Sequence, residues 1–235
     1  MASTTNTDST TQHTTHTDIS ILSLNVRGMN TQQTFDAKLP IIKNLIQTKK
    51  PDFLFLQETK LTKPNFEQEM KIKLNAERAI FSSGNAVTGT AVIQITNRWK
   101  IIGHRIDHIE ARISSVKITR NNKNYEIINI YAPADPQKRK TFYENLNITV
   151  SGIKENIVLG GDLNTTLEDR DKTSVNNQNI GREELKIIVT TRDLKDSYRD
   201  IYPNITDFTW EQSTDKDSPK SRIDRFYVEK EEKNN

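Results

Sequence analysis

The 235-residue chain contains no cysteine, which excludes a disulfide framework, a thiolate metal site and a cysteine nucleophile. No apolar run approaches the roughly 20 residues of a membrane-spanning helix. The N-terminus lacks the basic-then-apolar pattern of a secretory leader, so the expectation is a protein that is neither secreted nor held in a membrane. Apolar residues are scarce, at 33%, and the mean hydropathy is −0.73. The core must therefore be concentrated in short strands and helix stripes. Excess charge of one sign is also small. A formal charge of +3 and an isoelectric point near 8.9 permit a nucleic-acid partner without demanding one. No fixed-period repeat and no linker divides the sequence, and its length suits one large α/β or α+β domain. Glycosylation-type sequons at Asn147, Asn164 and Asn204 read as chance matches in an Asn- and Thr-rich chain that lacks a leader.

The most informative stretch runs from Ile157 to Thr166, Ile-Val-Leu-Gly-Gly-Asp-Leu-Asn-Thr-Thr. A short apolar run stops at two glycines, as a buried strand does when it ends where only Gly fits the backbone. Residues two apart on an extended chain point the same way, so Asp162 and Asn164 should face a common space. A carboxylate beside a neutral amide suits holding a water next to a phosphate, because Asn donates to phosphate oxygens without adding charge. The same letters also make an ordinary turn, so the reading depends on what surrounds it.

Taken in order, residues 1–17 are almost all polar and form an expected disordered tail. His13 and His16 within it read as inert. Ile19–Leu24 reads as a buried strand running into Asn25-Val26-Arg27-Gly28, and Asp36 to Thr48 as a helix with Pro40 tolerable only in its first turn. Phe53–Leu56 is a second buried strand, ending at Gln57-Glu58-Thr59-Lys60. Strand–helix–strand order suggests a crossover that brings Asn25 and Glu58 together. Phe66, Met70 and Leu74 make a core-facing helix stripe. Alternating strands follow at Thr90–Ile95, Trp99–Ile106, Arg112–Ile118 and Tyr125–Tyr131, with a hairpin turn at Asn121–Asn124. His104 and His108 read as surface or packing residues. Asp135-Pro136 opens a helix with an inner stripe of Phe142, Leu146 and Ile153. Its Lys138-Arg139-Lys140 run reads as a solvated face, with a phosphate contact as the lesser reading. A polar loop reaches Gly181, and a helix from Arg182 to Arg192 turns Leu185, Ile188 and Val189 inward. Phe208-Thr209-Trp210 and the strand Arg222–Val228 complete a domain of residues 18–228, followed by a charged, frayed tail at 229–235.

Polar groups thus sit at the ends of separate apolar runs: Asn25, Glu58, Tyr131, Asp162 with Asn164, and Asp224. This is how a rigid sheet gathers chemistry along one edge. The motifs Ser23–Gly28 (SLNVRG), Leu56–Lys60 (LQETK), Asn129–Pro133 (NIYAP), Gly160–Thr166 (GGDLNTT), Phe208–Trp210 (FTW) and Ser221–Phe226 (SRIDRF) occur in one order. Together they resemble the endonuclease/exonuclease/phosphatase superfamily, and within it the apurinic-like endonuclease domain of non-LTR (LINE-type) retrotransposons. Leu167-Glu168-Asp169-Arg170 and SRIDR favour the retroelement branch over repair enzymes and lipid phosphatases.

The resemblance implies an α/β fold, a four-layered sandwich of two mixed sheets face to face with helices outside. It implies phosphodiester cleavage in double-stranded DNA with Mg²⁺ or Mn²⁺. Glu58 would be the main metal ligand with Asn25 beside it, and Asp162 the general base or orienter of the attacking water. Asn164 would help bind the scissile phosphate, Tyr131 would donate a hydrogen bond as charge develops, and Thr209 and Arg222 would lie near the DNA. Asp224 would orient a histidine from a later Ser-Asp-His motif. No histidine follows His108, so the expectation is a piece of a longer reading frame, lacking the last strand, or a weakly active copy. Loss of such a donor costs on the order of 10²-fold in rate. Arg27 departs from the acidic residue that repair-type relatives hold there. The expected enzyme is a monomer acting in the nucleus that nicks one strand and leaves a 3′-hydroxyl for a linked reverse transcriptase. The alternatives are a silent DNA- or protein-binding remnant, and a hydrolase of phosphomonoesters or phospholipid headgroups.

Overall fold

A computed structural model describes residues 18–62, 64–83, 86–106, 110–173, 180–213, 215 and 218–229. The expected N-terminal tail with His13 and His16, His108 and the last six residues lie outside them. In chain order the elements are β1 (Ile21–Asn25), α1 (Gln32–Lys49), β2 (Phe53–Gln57), α2 (Pro64–Lys73), β3 (Arg78–Ser82), β4 (Thr90–Gln94), β5 (Lys100–Ile106), β6 (Ile113–Arg120), β7 (Lys123–Tyr131) and α3 (Pro136–Ser151). They continue with β8 (Asn156–Asp162), a 3₁₀ turn (Asp169–Asp171), α4 (Arg182–Thr191), β9 (Leu194–Asp196), α5 (Ser197–Ile201), β10 (Trp210–Glu211), β11 (Lys220–Ser221) and β12 (Asp224–Glu229).

Two mixed sheets face one another, one in the order β1-β2-β4-β3 and the other β5-β6-β7-β8-β12-β9. Strand alternation splits their side chains between layers. Phe53 and Phe55 of β2 meet Val116, Ile127 and Val158 of the opposite sheet, together with Trp99, in the central layer. Leu54 and Leu56 point the other way, onto Phe35, Leu39 and Ile42 of α1 and Phe66 and Met70 of α2. On the far side Ile128, Ile130, Ile157 and Leu159 pack against Tyr143, Leu146 and Val150 of α3 and Leu185 and Ile188 of α4. The result is the four-layered α/β sandwich. No helix among the described residues is long and apolar enough to cross a membrane.

Several local readings hold. Asp135 caps α3 with Pro136 at its first position, and Asn121 and Asn122 both take left-handed φ of 50° and 60°, the backbone a two-residue hairpin requires. Others change. α1 starts earlier than expected because Thr31 caps it in a capping box with Thr34, which leaves Pro40 inside the helix instead of in its first turn. The inner stripe of α3 is Tyr143, Leu146 and Val150, with Phe142 only partly covered. The alternating strands do not form one meander. β4 joins β2 and β3 in one sheet, whereas β5, β6 and β7 build the other.

Candidate active site

The topology alone carries five strand ends to one edge. β1 and β2 run parallel with Asn25 beside Gln57, so Glu58 follows immediately. β7 and β8 run parallel with Tyr131 beside Asp162, and antiparallel β12 starts with Asp224 opposite Asp162. The two sheets are tied just behind this edge. The buried Asn129 amide donates to the carbonyls of Leu56 and Ala91, both at 2.9 Å, and its oxygen accepts from Gln57 Nε2 at 2.7 Å.

At the edge, Asn25 Nδ2 donates to Glu58 Oε1 and to Asp162 Oδ2, each at 2.9 Å. The two carboxylates therefore lie within reach of one phosphate. Glycine is required where β8 delivers Asp162. A Cβ on Gly160 would meet the Phe226 ring at 2.3 Å, and one on Gly161, whose φ is +124°, would meet Ile130 O at 2.2 Å. Asn164 shares the cleft with Asp162, but not by strand alternation, since the strand stops at Asp162 and Asn164 is left-handed with φ 47°. Its backbone N–H donates to Asp162 Oδ1 at 3.1 Å and its side-chain amide to Ala132 O at 2.9 Å. The Thr209 hydroxyl accepts from the backbone N–H of Ile223 and Asp224 and donates to the Asp224 carboxylate. These groups line a cleft of about 490 Å³, together with Arg27, Trp210 and Ile223.

The acids differ sharply in their surroundings. Burial pushes Glu58 up, but hydrogen bonds from Asn25, Lys60 and Tyr131, with the Lys60 charge, outweigh it and hold Glu58 below the usual carboxylate range. Asp162 is pushed up to about 7, by burial first and then by the Asp224 charge, against the pull of the Asn25 and Asn164 hydrogen bonds. Burial also raises Asp224. Burial first, then the Glu58 charge, raises the Tyr131 hydroxyl, so it stays a donor. One carboxylate is fixed in its charged form, and another titrates near neutrality where a base is most useful.

The donors are all oxygen and nitrogen with no sulfur, and the ionised Glu58 suits a hard divalent cation such as Mg²⁺, which takes one or two carboxylates and keeps several waters. Asn25 turns its NH₂ group to the carboxylates and its carbonyl to the Arg27 N–H at 3.0 Å. In this arrangement it organises the acids.

Arg222, expected near the substrate, is turned inward instead. It is 3% exposed, and its guanidinium meets Asp171 Oδ1 at 2.9 Å and Asp196 Oδ2 at 2.7 Å. The fully buried Asp171 also receives Arg199 at 2.8 Å and Arg225 at 3.0 Å, while Arg225 reaches Thr165 O at 3.0 Å. This network joins the segment after Asn164 to the start of β12. Arg139 is likewise not on a solvated face. It is buried and caps the carbonyls of Pro133, Ala134 and Ile180, whereas Lys138 and Lys140 are exposed. His104 is exposed on β5. Asp171 did not stand out in sequence, because the arginines that hold it are far along the chain and make no local pattern.

The sequence pattern of the Endonuclease/Exonuclease/phosphatase family matches residues 22–232. The chain is 29% identical over 122 residues to the Transposon TX1 uncharacterized 149 kDa protein of Xenopus laevis, which covers 51% of this chain and 9% of that protein. Among solved structures, an AP endonuclease from Archaeoglobus fulgidus superposes with a TM-score of 0.72 at 21% identity, covering 90% of this chain and 86% of its own. The AP endonuclease LMAP from Leishmania major gives 0.73 at 15% identity, covering 90% and 79%. A D. rerio TDP2 humanized by 14 mutations gives 0.65 at 15%, covering 92% and 84%.

Proposed function

This chain belongs to the Endonuclease/Exonuclease/phosphatase family, and on that premise we propose that it hydrolyses phosphodiesters in double-stranded DNA, nicking one strand and leaving a 3′-hydroxyl. The observation that carries this reading is the single Asn25 amide that bridges Glu58 and Asp162. It holds an acid kept below the usual carboxylate range and one raised toward neutrality on either side of the cleft.

In this reading Asp162 takes the proton from an attacking water, a role suited to a carboxyl that titrates at about 7. Asn164, fixed by Ala132 O, offers its remaining amide hydrogen to a phosphate oxygen. Tyr131, protonated and hydrogen-bonded to Glu58, donates as negative charge grows on the phosphate. Asp224, held by Thr209, keeps a second negative charge beside Asp162 and so keeps its proton affinity high. Mg²⁺ held at Glu58, with Asn25 beside it, supplies charge neutralisation at the phosphate when bound. The likeness to a transposon protein supports an element-encoded nuclease whose 3′-hydroxyl primes a linked reverse transcriptase, which would act in the nucleus.

The test is nicking of supercoiled plasmid with Mg²⁺ by the wild type, Glu58→Ala and Asp162→Asn. The wild type should convert plasmid to open circles that a polymerase extends. Both variants should fall by about 10²-fold or more. If all three are equally inert, the catalytic reading fails. A silent binding domain is favoured by one observation, the lack of a histidine among the described residues lining the cleft. It predicts salt-sensitive duplex binding in all three proteins with no open circles.

A further inference from the structure

The described residues lining the cleft include three acids, Glu58, Asp162 and Asp224, and a single cation, Arg27. We propose that Arg27 is a substrate-binding residue, its guanidinium gripping a backbone phosphate of the duplex at the mouth of the cleft. This inference rests on the DNA-cleaving reading and deepens it.

Three observations support this assignment. The Arg27 side chain is exposed, and among the described residues its guanidinium has no hydrogen-bond or ion-pair partner. An arginine left unpaired beside three carboxylates is an unmet interaction, because the guanidinium fork matches carboxylate and phosphate equally well. Two of the cleft acids have other partners. Glu58 takes Asn25 and Lys60, and Asp162 takes Asn25 and Asn164.

The backbone that presents Arg27 is fixed and strained. Arg27 has φ 50°, a left-handed conformation that bulky residues adopt only when their surroundings impose it. The surroundings are visible. Lys38 of α1 points its ammonium at the carbonyls of Val26 at 2.6 Å, Arg27 at 3.1 Å and Gly28 at 2.5 Å. The Arg27 N–H is tied to Asn25 Oδ1 at 3.0 Å. Lys38 is thus spent as an internal clamp, and Arg27 is aimed outward from the same loop that carries Asn25. An anionic ligand approaching three carboxylates needs a counter-charge, and Arg27 provides it where the ligand enters.

The experiment measures binding of wild type, Arg27→Gln, Arg27→Lys and Lys154→Gln to a fluorescent duplex in chelator at several salt concentrations, with plasmid nicking run in parallel. Lys154 is exposed at the opposite end of β8 and serves as a charge-matched control. Arg27→Gln should weaken binding about tenfold for any sequence. It should also reduce the slope of log affinity against log salt by about 0.9. Arg27→Lys should keep the slope and lose part of the affinity, and Lys154→Gln should match wild type. Unchanged slope and affinity in Arg27→Gln overturn the assignment, even if the wild type nicks normally. Equal losses in Arg27→Gln and Lys154→Gln also overturn it, since they report overall charge alone. A wild type that binds no duplex overturns it together with the nuclease reading. Arg27-dependent binding without nicking sinks the nuclease reading and leaves the Arg27 assignment standing.

Discussion

Replacing Asp162 by Asn should make the protein's stability less sensitive to pH, and the size of the effect follows from the site. The Asp162 carboxyl is raised from 3.8 to about 7 in the fold. At 1.36 kcal/mol per pH unit, that is roughly 4 kcal/mol of disfavoured ionisation. The sign is fixed by linkage. Below 3.8 the group is protonated in both folded and unfolded chains and contributes no difference. Between 3.8 and about 7 the unfolded chain releases the proton and the folded chain keeps it, so stability falls as pH rises. Above that window the penalty is constant. Asn never ionises, so the stability of Asp162→Asn relative to wild type should climb by roughly 4 kcal/mol between pH 3 and pH 8. The altered hydrogen bonds to Asn25 and Asn164 shift both ends of the comparison and cancel in the difference. For a domain of this size the melting temperatures should diverge by about 10 °C. The assay is a pH series of thermal melts of both proteins in chelator. Melting curves that stay parallel across the series would refute the argument and remove Asp162 as a base poised near neutrality.

Three further outcomes test the scaffold. Gly161→Ala, with its Cβ forced to 2.2 Å from Ile130 O at φ +124°, should cost more than about 3 kcal/mol in a denaturant titration. Arg139→Met leaves the carbonyls of Pro133 and Ala134 without their donor. It should cost about 2–4 kcal/mol by the same method, where a change within error would show that water replaces the guanidinium. Pro40→Ala restores a backbone donor inside α1 at an exposed position and should raise stability by about 1–3 kcal/mol; a lower melting temperature would contradict this.

What could be read in advance was local or repeated. The apolar runs ending at Asn25, Glu58, Tyr131 and Asp162 announced strands because both faces of β2 and β8 are buried, which leaves continuous hydrophobic letters. The Asp135-Pro136 cap and the Asn121-Asn122 turn act within four residues, so the sequence carries them whole. Periodicity gives the face of a strand but not its partner, which is why β4 and β5 looked contiguous while lying in different sheets. Asp171 was invisible for the same reason. Its arginines stand 28, 51 and 54 residues away, and Arg222, which looked substrate-facing, proved to be held inward by that buried carboxylate.

Backbone strain gathers at the candidate site, although it also occurs at turns and helix ends elsewhere. Arg27, Glu58, Lys60 and Asn164 all have φ between 47° and 54°, and each costs on the order of 1 kcal/mol outside glycine. Such conformations persist only where neighbours over-determine them. Lys38 clamps the loop of Arg27, the Thr59 and Lys60 amides are held by the Gly89 and Thr88 carbonyls, and Arg225 pins Thr165 beside Asn164. In each case the clamp comes from a different part of the chain and carries no chemistry of its own. The bridging Asn25 amide depends on all of them, because a slip in any one loop separates Glu58 from Asp162. The polar motifs are therefore necessary for the site without being sufficient, and a chain that kept their letters but lost Lys38 would keep the family pattern while losing the clamp on the Arg27 loop.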